Sequence, residues 1–209
     1  MEDRNKTFNE VCVLWQGTTY SDVKNAIDYA VKNQIACVCI PPYYVAWARK
    51  YAPKSIKIST VISYPFGLST TVNKANEVKL AVKSSVNEIE TCINHGELRN
   101  GNVTDIVQEL KQLKRVSRGA LFKVFVNFEI LNDAEIKLLF KIFSIVSVDY
   151  ICFEIGDNLE LVEKILGQIK NNLGRRVKLK ISYNGESVAS DLLANYGFEY
   201  RTALDFFTI

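Results

Sequence analysis

The chain has 209 residues, 48% of them hydrophobic and 23% charged, which is enough apolar material for a full core in one domain spanning residues 1–209. Its 26 Lys and Arg against 23 Asp and Glu leave a net charge of +3, and the basic residues are scattered rather than striped, which argues against nucleic acid as a partner. No apolar run reaches transmembrane length, and the opening Met-Glu-Asp-Arg-Asn-Lys has the wrong charge order for a secretory signal, so a cytoplasmic protein with no membrane partner is expected.

In chain order, a short apolar run at Val11–Leu14 comes first. A helix over residues 21–33 follows, with Ser21 as its N-cap, and then the strand Ile35–Ile40. Pro41-Pro42 stops that strand, and Tyr43–Tyr51 reads as a short helix before the strand Ile56–Ile62. Thr71–Ser84 has helical spacing, with Val72, Ala75, Val78, Leu80, Ala81 and Val82 apolar and with Glu77 and the lysines left for solvent. Asn87–Asn94 alternates as a strand, placing Glu88, Glu90, Cys92 and Asn94 on one side.

A helix near Val103–Arg115, the strand Leu121–Phe128 and a helix over Asp133–Ile145 come next, the last showing Ile136, Leu139, Phe140 and Phe143 on one face. Val148–Gly156 alternates again, so Tyr150, Cys152 and Glu154 share one face and Ile151, Phe153 and Ile155 the other. The remainder reads as a helix over Leu159–Asn171, the strand Val177–Ser182, a helix over Ser187–Tyr196 and the strand Phe198–Ala203.

Strands separated by helices of ten or more residues run parallel with right-handed crossovers. Eight such strands in this length predict a compact (β/α)₈ TIM barrel rather than an open sheet. In that fold the C-terminal strand ends converge on the mouth, which makes Gln16, Cys39, Glu90, Asn94, Asn127, Cys152, Glu154, Lys180 and Ser182 the candidate site residues. Tyr43 and Tyr44 follow a strand end and are placed to line that mouth.

No Gly-x-Gly-x-x-Gly or Gly-Lys-Ser/Thr loop is present, and no cofactor is expected. The five cysteines lie in apolar strand-like runs without paired ligand spacing, and His95 is the single histidine. Buried thiols and no metal follow.

Four runs, in order, resemble the deoxyribose-phosphate aldolase family. They are Ala36–Val45 (ACVCIPPYYV), Ile58–Gly67 (ISTVISYPFG), Asn87-Glu88-Ile89-Glu90 with Asn94, Gly96, Leu98 and Gly101-Asn102, and Lys123–Phe128 with Leu131-Asn132-Asp133 and Glu135. The resemblance spans nearly the whole chain and implies the barrel. It also implies class I aldolase chemistry, in which a lysine Schiff base joins acetaldehyde to glyceraldehyde 3-phosphate.

Departures fall on that chemistry. Aligned on Asp149-Tyr150 and Gly156, the family's nucleophilic lysine on the sixth strand falls on Cys152, and a thiol cannot form an iminium. The family's seventh-strand lysine falls on Lys180, its fourth-strand aspartate on Glu90 and a first-strand aspartate on Gln16. The phosphate-cradling glycine pair is replaced within Ser182-Tyr183-Asn184-Gly185. On the eighth strand the family's Arg-x-Gly-Thr-Ser becomes Arg201-Thr202-Ala203-Leu204-Asp205. The chain ends at Ile209, so the last helix is expected to be shortened or missing.

Each candidate also has a plainer structural role. Lys180 can be a buried amine paired with Glu90, Glu154 can pair with Lys178 or Lys180, Cys152 can be an inert thiol, and Lys123 can hold a salt bridge at the barrel bottom. The resemblance therefore implies a divergent aldolase relative with little ordinary activity, whose Lys180, Glu90 and Asn94 bind a small phosphorylated or carbonyl compound. Two alternatives stand beside it: an active lyase with Lys180 as a relocated Schiff-base residue, and a non-catalytic binding or assembly protein on a barrel scaffold. A homodimer is compatible with all three.

Overall fold

A computed structural model describes residues 9–154, 159–173, 177–183 and 200–205. Eight strands form its centre: β1 (Glu10–Cys12), β2 (Cys37–Ile40), β3 (Lys57–Ile62), β4 (Glu88–Cys92), β5 (Leu121–Phe125), β6 (Tyr150–Glu154), β7 (Lys178–Tyr183) and β8 (Tyr200–Asp205). All pair parallel in sequence order, and β8 returns to pair with β1, so the barrel is closed as the alternation of strands and helices predicts. The outer helices are α1 (Tyr20–Lys32), α2 (Val45–Tyr51), α3 (Thr71–Lys83), α4 (His95–Arg99), α5 (Val103–Val116), α6 (Asp133–Ile145) and α7 (Leu159–Leu173).

The period-2 alternation sorts the strands into two environments. Val11, Val38, Ile58, Ile89, Phe122, Val124, Ile151, Phe153, Leu179 and Ile181 join one apolar core with helical residues such as Ile27, Val78, Leu110, Leu139 and Leu166. The other parity turns into the barrel, and there the chain places Glu10, Ser59, Glu88, Glu90, Lys123 and Lys180 among cysteines, all of them buried. Core formation is thus assigned to the sheet–helix layer, and the interior is left for polar side chains.

Caps correct several expected boundaries. Thr19, not Ser21, starts α1, because its hydroxyl accepts from the Asp22 N–H at 3.3 Å while Asp22 Oδ2 accepts from the Thr19 N–H at 2.7 Å. β4 stops at Cys92 instead of Asn94, since the Asn94 side chain accepts from the Glu97 N–H at 3.1 Å and caps the unanticipated helix α4. β5 likewise ends at Phe125, where Asn127 turns to cap a 3-10 turn at Phe128–Ile130.

The loop after β3 contains a cis Tyr64-Pro65 bond and Gly67 at φ +68. A Cβ at Gly67 would sit 2.3 Å from the Ile93 carbonyl oxygen, so only glycine lets this loop lie on the end of β4. The expected helix Ser187–Tyr196, Asn184-Gly185 of the phosphate motif and the shortened last helix lie outside the described residues.

Candidate active site

At the centre of the barrel, β7 supplies Lys180, β5 Lys123, β1 Glu10, β4 Glu88 and Glu90, and β3 Ser59. Lys180 Nζ donates to Glu90 Oε2 at 2.7 Å and to Glu10 Oε1 at 2.8 Å. Lys123 Nζ lies 3.1 Å from Glu10 Oε2, 3.2 Å from Glu88 Oε2, 3.5 Å from Glu90 Oε2 and 3.0 Å from Ser59 Oγ. Glu10 and Glu90 therefore bridge the two ammonium groups. Lys180 is 2% exposed, and Lys123 and Glu10 are wholly buried.

Lys123 thus belongs to the same cluster as Lys180 and is not confined to a separate salt bridge at the bottom. It is the register partner of Glu90, and that carboxylate also reaches Lys180.

Burial alone would make every charge here costly, and the pairing offsets it. Burial pushes the Glu10 carboxyl up, but the ammonium groups of Lys123 and Lys180 outweigh it and bring it down to about 2. Burial pushes the Lys180 amine down, and the acidic groups around it, Cys12, Glu10 and Glu90, return it well above the ordinary lysine range. Lys123 is raised in the same way, chiefly by Glu10 against its own burial. Both amines are cationic at neutral pH, without a free lone pair.

Cys152 stands beside Lys180 as its register partner on β6. Burial, and then the charge of Glu90, pushes its thiol well up, so it is a neutral thiol at neutral pH. His95 offers no obvious base for it, because its Nε2 accepts from the Asn127 N–H at 3.1 Å, and burial lowers its imidazole pKa. Among the described residues, two groups of side chains are close enough to hold a metal ion, Glu10 with Cys12 and Cys39, and Glu10 with Cys37 and Glu88. Both run through Glu10, whose oxygens already accept from the two lysines.

Apolar side chains pack around this cluster inside the barrel. Cys12, Cys39 and Val61 pack with Leu14 and Tyr64, and Cys92, Phe125, Tyr150 and Cys152 pack with Tyr64 and Leu121. Over the ends of β1, β2 and β3 opens a cavity of about 630 Å³ lined by Gln16, Tyr43, Tyr44, Val61, Tyr64 and Glu77 among others. Lys180, Glu90 and Cys152 do not line it.

The expected site residues therefore divide. Glu90, Cys39, Cys152 and Lys180 meet inside the barrel, and Gln16 is exposed at the mouth cavity. Asn94 is a helix cap that borders a different cavity of about 560 Å³, between α3 and α5. Glu154 is exposed at the end of β6, and Lys180 takes Glu10 and Glu90 as its carboxylate partners in its place. Ser182 is half-buried on β7, in register with Glu154.

Two important residues were not anticipated. Glu10 precedes the apparent strand and has no local signature. Lys74, expected in solvent, is fully buried, donating to Glu109 Oε1 at 2.6 Å and to the Cys92 carbonyl at 3.3 Å. Its spacing with Val78 and Ala81, at i, i+4 and i+7, was the available signal.

No family model matches the chain. The deoxyribose-phosphate aldolase of Clostridioides difficile is 31% identical over 179 residues, covering 85% of this chain and 81% of that one. The enzyme of the same name from Caldicellulosiruptor saccharolyticus is 29% identical over 181 residues, covering 81% and 79%. Among solved structures, the aldolase QR15 superposes with a TM-score of 0.79 at 27% identity, covering 98% of this chain and 92% of its own. The deoxyribose phosphate aldolase of Aeropyrum pernix gives a TM-score of 0.78 at 20% identity, covering 96% and 85%. On the strength of this relatedness along most of its length, the chain belongs to the deoxyribose-phosphate aldolase family.

Proposed function

We propose that this protein is an aldolase-family barrel that has given up Schiff-base chemistry, keeping the fold and a ligand-accessible mouth. The observation carrying the reading is the position of Lys180 Nζ, buried and held at 2.7 and 2.8 Å by Glu90 and Glu10. An amine forms a carbinolamine only as the free base, and a cation clasped by two carboxylates is far from that state. Cys152, at the family's nucleophilic position, has the wrong chemistry for an iminium.

A second reading makes Lys180 the relocated Schiff-base residue with Glu90 as acid and base. The register pairing of Lys180 with Cys152 supports it, since the amine then enters the same interior from the next strand. A third reading, a non-catalytic scaffold, draws less support while an open cavity lies at the mouth. Five free thiols fit a reducing, cytoplasmic setting. A homodimer is a proposal for sedimentation analysis to decide.

Incubation with acetaldehyde and borohydride, followed by mass spectrometry, separates the first two readings. The first expects no stable adduct on any barrel lysine. An adduct on Lys180, together with aldol turnover lost in Lys180→Met and retained in Cys152→Ser, would overturn it in favour of the second.

A further inference from the structure

We propose that the cavity over β1, β2 and β3 is a binding site for a neutral carbohydrate of one or two rings. Its volume, about 630 Å³, falls in the range of small-molecule sites. The inference holds whether or not Lys180 forms an imine, because Lys180 does not line the cavity, while Val61, which does, packs with Cys12, whose Sγ lies 3.9 Å from that amine.

The walls match a sugar on two counts. Trp15, Tyr43 and Phe66 line the cavity while remaining 42%, 76% and 72% exposed, so large ring surfaces stand in water beside a concavity. Such rings take the C–H face of a pyranose or furanose, burying apolar area without demanding charge. Around them stand Gln16, Ser63, Ser69 and Glu77, whose amide, hydroxyl and carboxylate groups pair with sugar hydroxyls. Glu77 is already oriented, since its Oε2 accepts from the Ser63 N–H at 3.2 Å and its Oε1 is left as an acceptor.

The rim is also braced before any ligand arrives. Thr18 Oγ1 donates to the Trp15 carbonyl at 2.7 Å, and the Tyr44 hydroxyl donates to the Thr18 carbonyl at 2.5 Å, tying the β1 loop to the β2 loop. The Trp15 ring folds back over its own loop so closely that a Cβ on Gly17 would lie 2.0 Å from it. A wall held in this way loses little freedom on binding.

Charge decides between a free sugar and its phosphate. Among the described residues lining the cavity there is no Lys or Arg, and the single charged side chain, Glu77, is acidic. Among these described residues a phosphate meets no counter-ion and faces a carboxylate.

The test is calorimetric titration of the full chain with free pentoses, hexoses and disaccharides, each set beside its monophosphate. At least one neutral sugar should bind saturably, with its monophosphate weaker by about tenfold or more. Tyr43→Ala should weaken the neutral sugar by about tenfold, and its melting temperature reads whether the fold is kept. Gln16→Arg, at an exposed position, should narrow or reverse the preference against phosphate. Equal or tighter binding of the monophosphates by the unaltered protein, no saturable neutral sugar, or full affinity in folded Tyr43→Ala would each overturn the proposal.

Discussion

Lys180 and Glu10 are separated by 170 residues of chain, yet their Nζ and Oε1 atoms are 2.8 Å apart. They stand on β7 and β1, with β8 between them, so this ion pair crosses the barrel interior and does not follow the hydrogen-bond ladder. Because Glu10 also holds Lys123, a single carboxylate from the first strand serves cations from the fifth and the seventh.

Glu10→Gln removes that charge at constant size and leaves two buried ammonium groups short of a counter-ion. A loss of about 3–5 kcal/mol in urea unfolding is expected. Adding Lys180→Met should recover part of it, since the uncompensated cation is then gone. A single-variant loss below about 1 kcal/mol would mean that Glu10 is not the bridge described.

Acid should unfold the protein through the same residue. The carboxyl of Glu10 falls from an ordinary 4.5 to about 2 in the folded chain, so the unfolded state binds the extra proton between those values. Its stabilisation is complete above pH 4.5 and is lost as pH drops toward 2, by about 3 kcal/mol in all. Urea midpoints measured across this window should fall steeply for the natural chain and more gently for Glu10→Gln. Parallel curves would contradict the assignment.

Thiol chemistry should be silent in the folded protein. All five cysteines are buried, and burial is the largest cause raising the thiols of Cys37 and Cys152. Ellman's reagent at mildly alkaline pH should find no fast-reacting thiol before denaturation and all five after it. A stoichiometric fast phase that disappears in Cys152→Ser would instead make Cys152 a reactive group.

Gly67→Ala should cost about 2 kcal/mol or more, because the residue adopts φ +68 and its new methyl would meet the Ile93 carbonyl oxygen at 2.3 Å. The loop also forms part of the mouth, where Phe66 and Leu68 line the cavity on either side of Gly67. The substitution should therefore weaken ligand binding there as well as lower the melting temperature.

The barrel was legible because each strand is short, apolar on the helix-facing parity and separated from the next by a helix. Even β6, with a thiol and a carboxylate on its inner parity, keeps Ile151 and Phe153 on the outer one. The pairing of Lys180 with Glu90 could be anticipated from shared parity on barrel strands. Glu10 could not, since its partners lie 113 and 170 residues away and no local period marks it. The caps carry a local signal: Thr19-x-x-Asp22 and Asn94-x-x-Glu97 each have a capping pattern, and the second makes an expected binding residue the N-cap of α4.

The return of β8 to β1 sets an order on assembly. A chain made from its N-terminus presents Glu10, Glu88 and Glu90 well before Lys180, and through β6 only Lys123 of the cluster's two lysines has been made. Three carboxylates and one ammonium cannot neutralise one another in a closed interior, and contacts spanning most of the chain form slowly. A molecule stopped short of β7 therefore has its acidic strands without the second cation that offsets their burial.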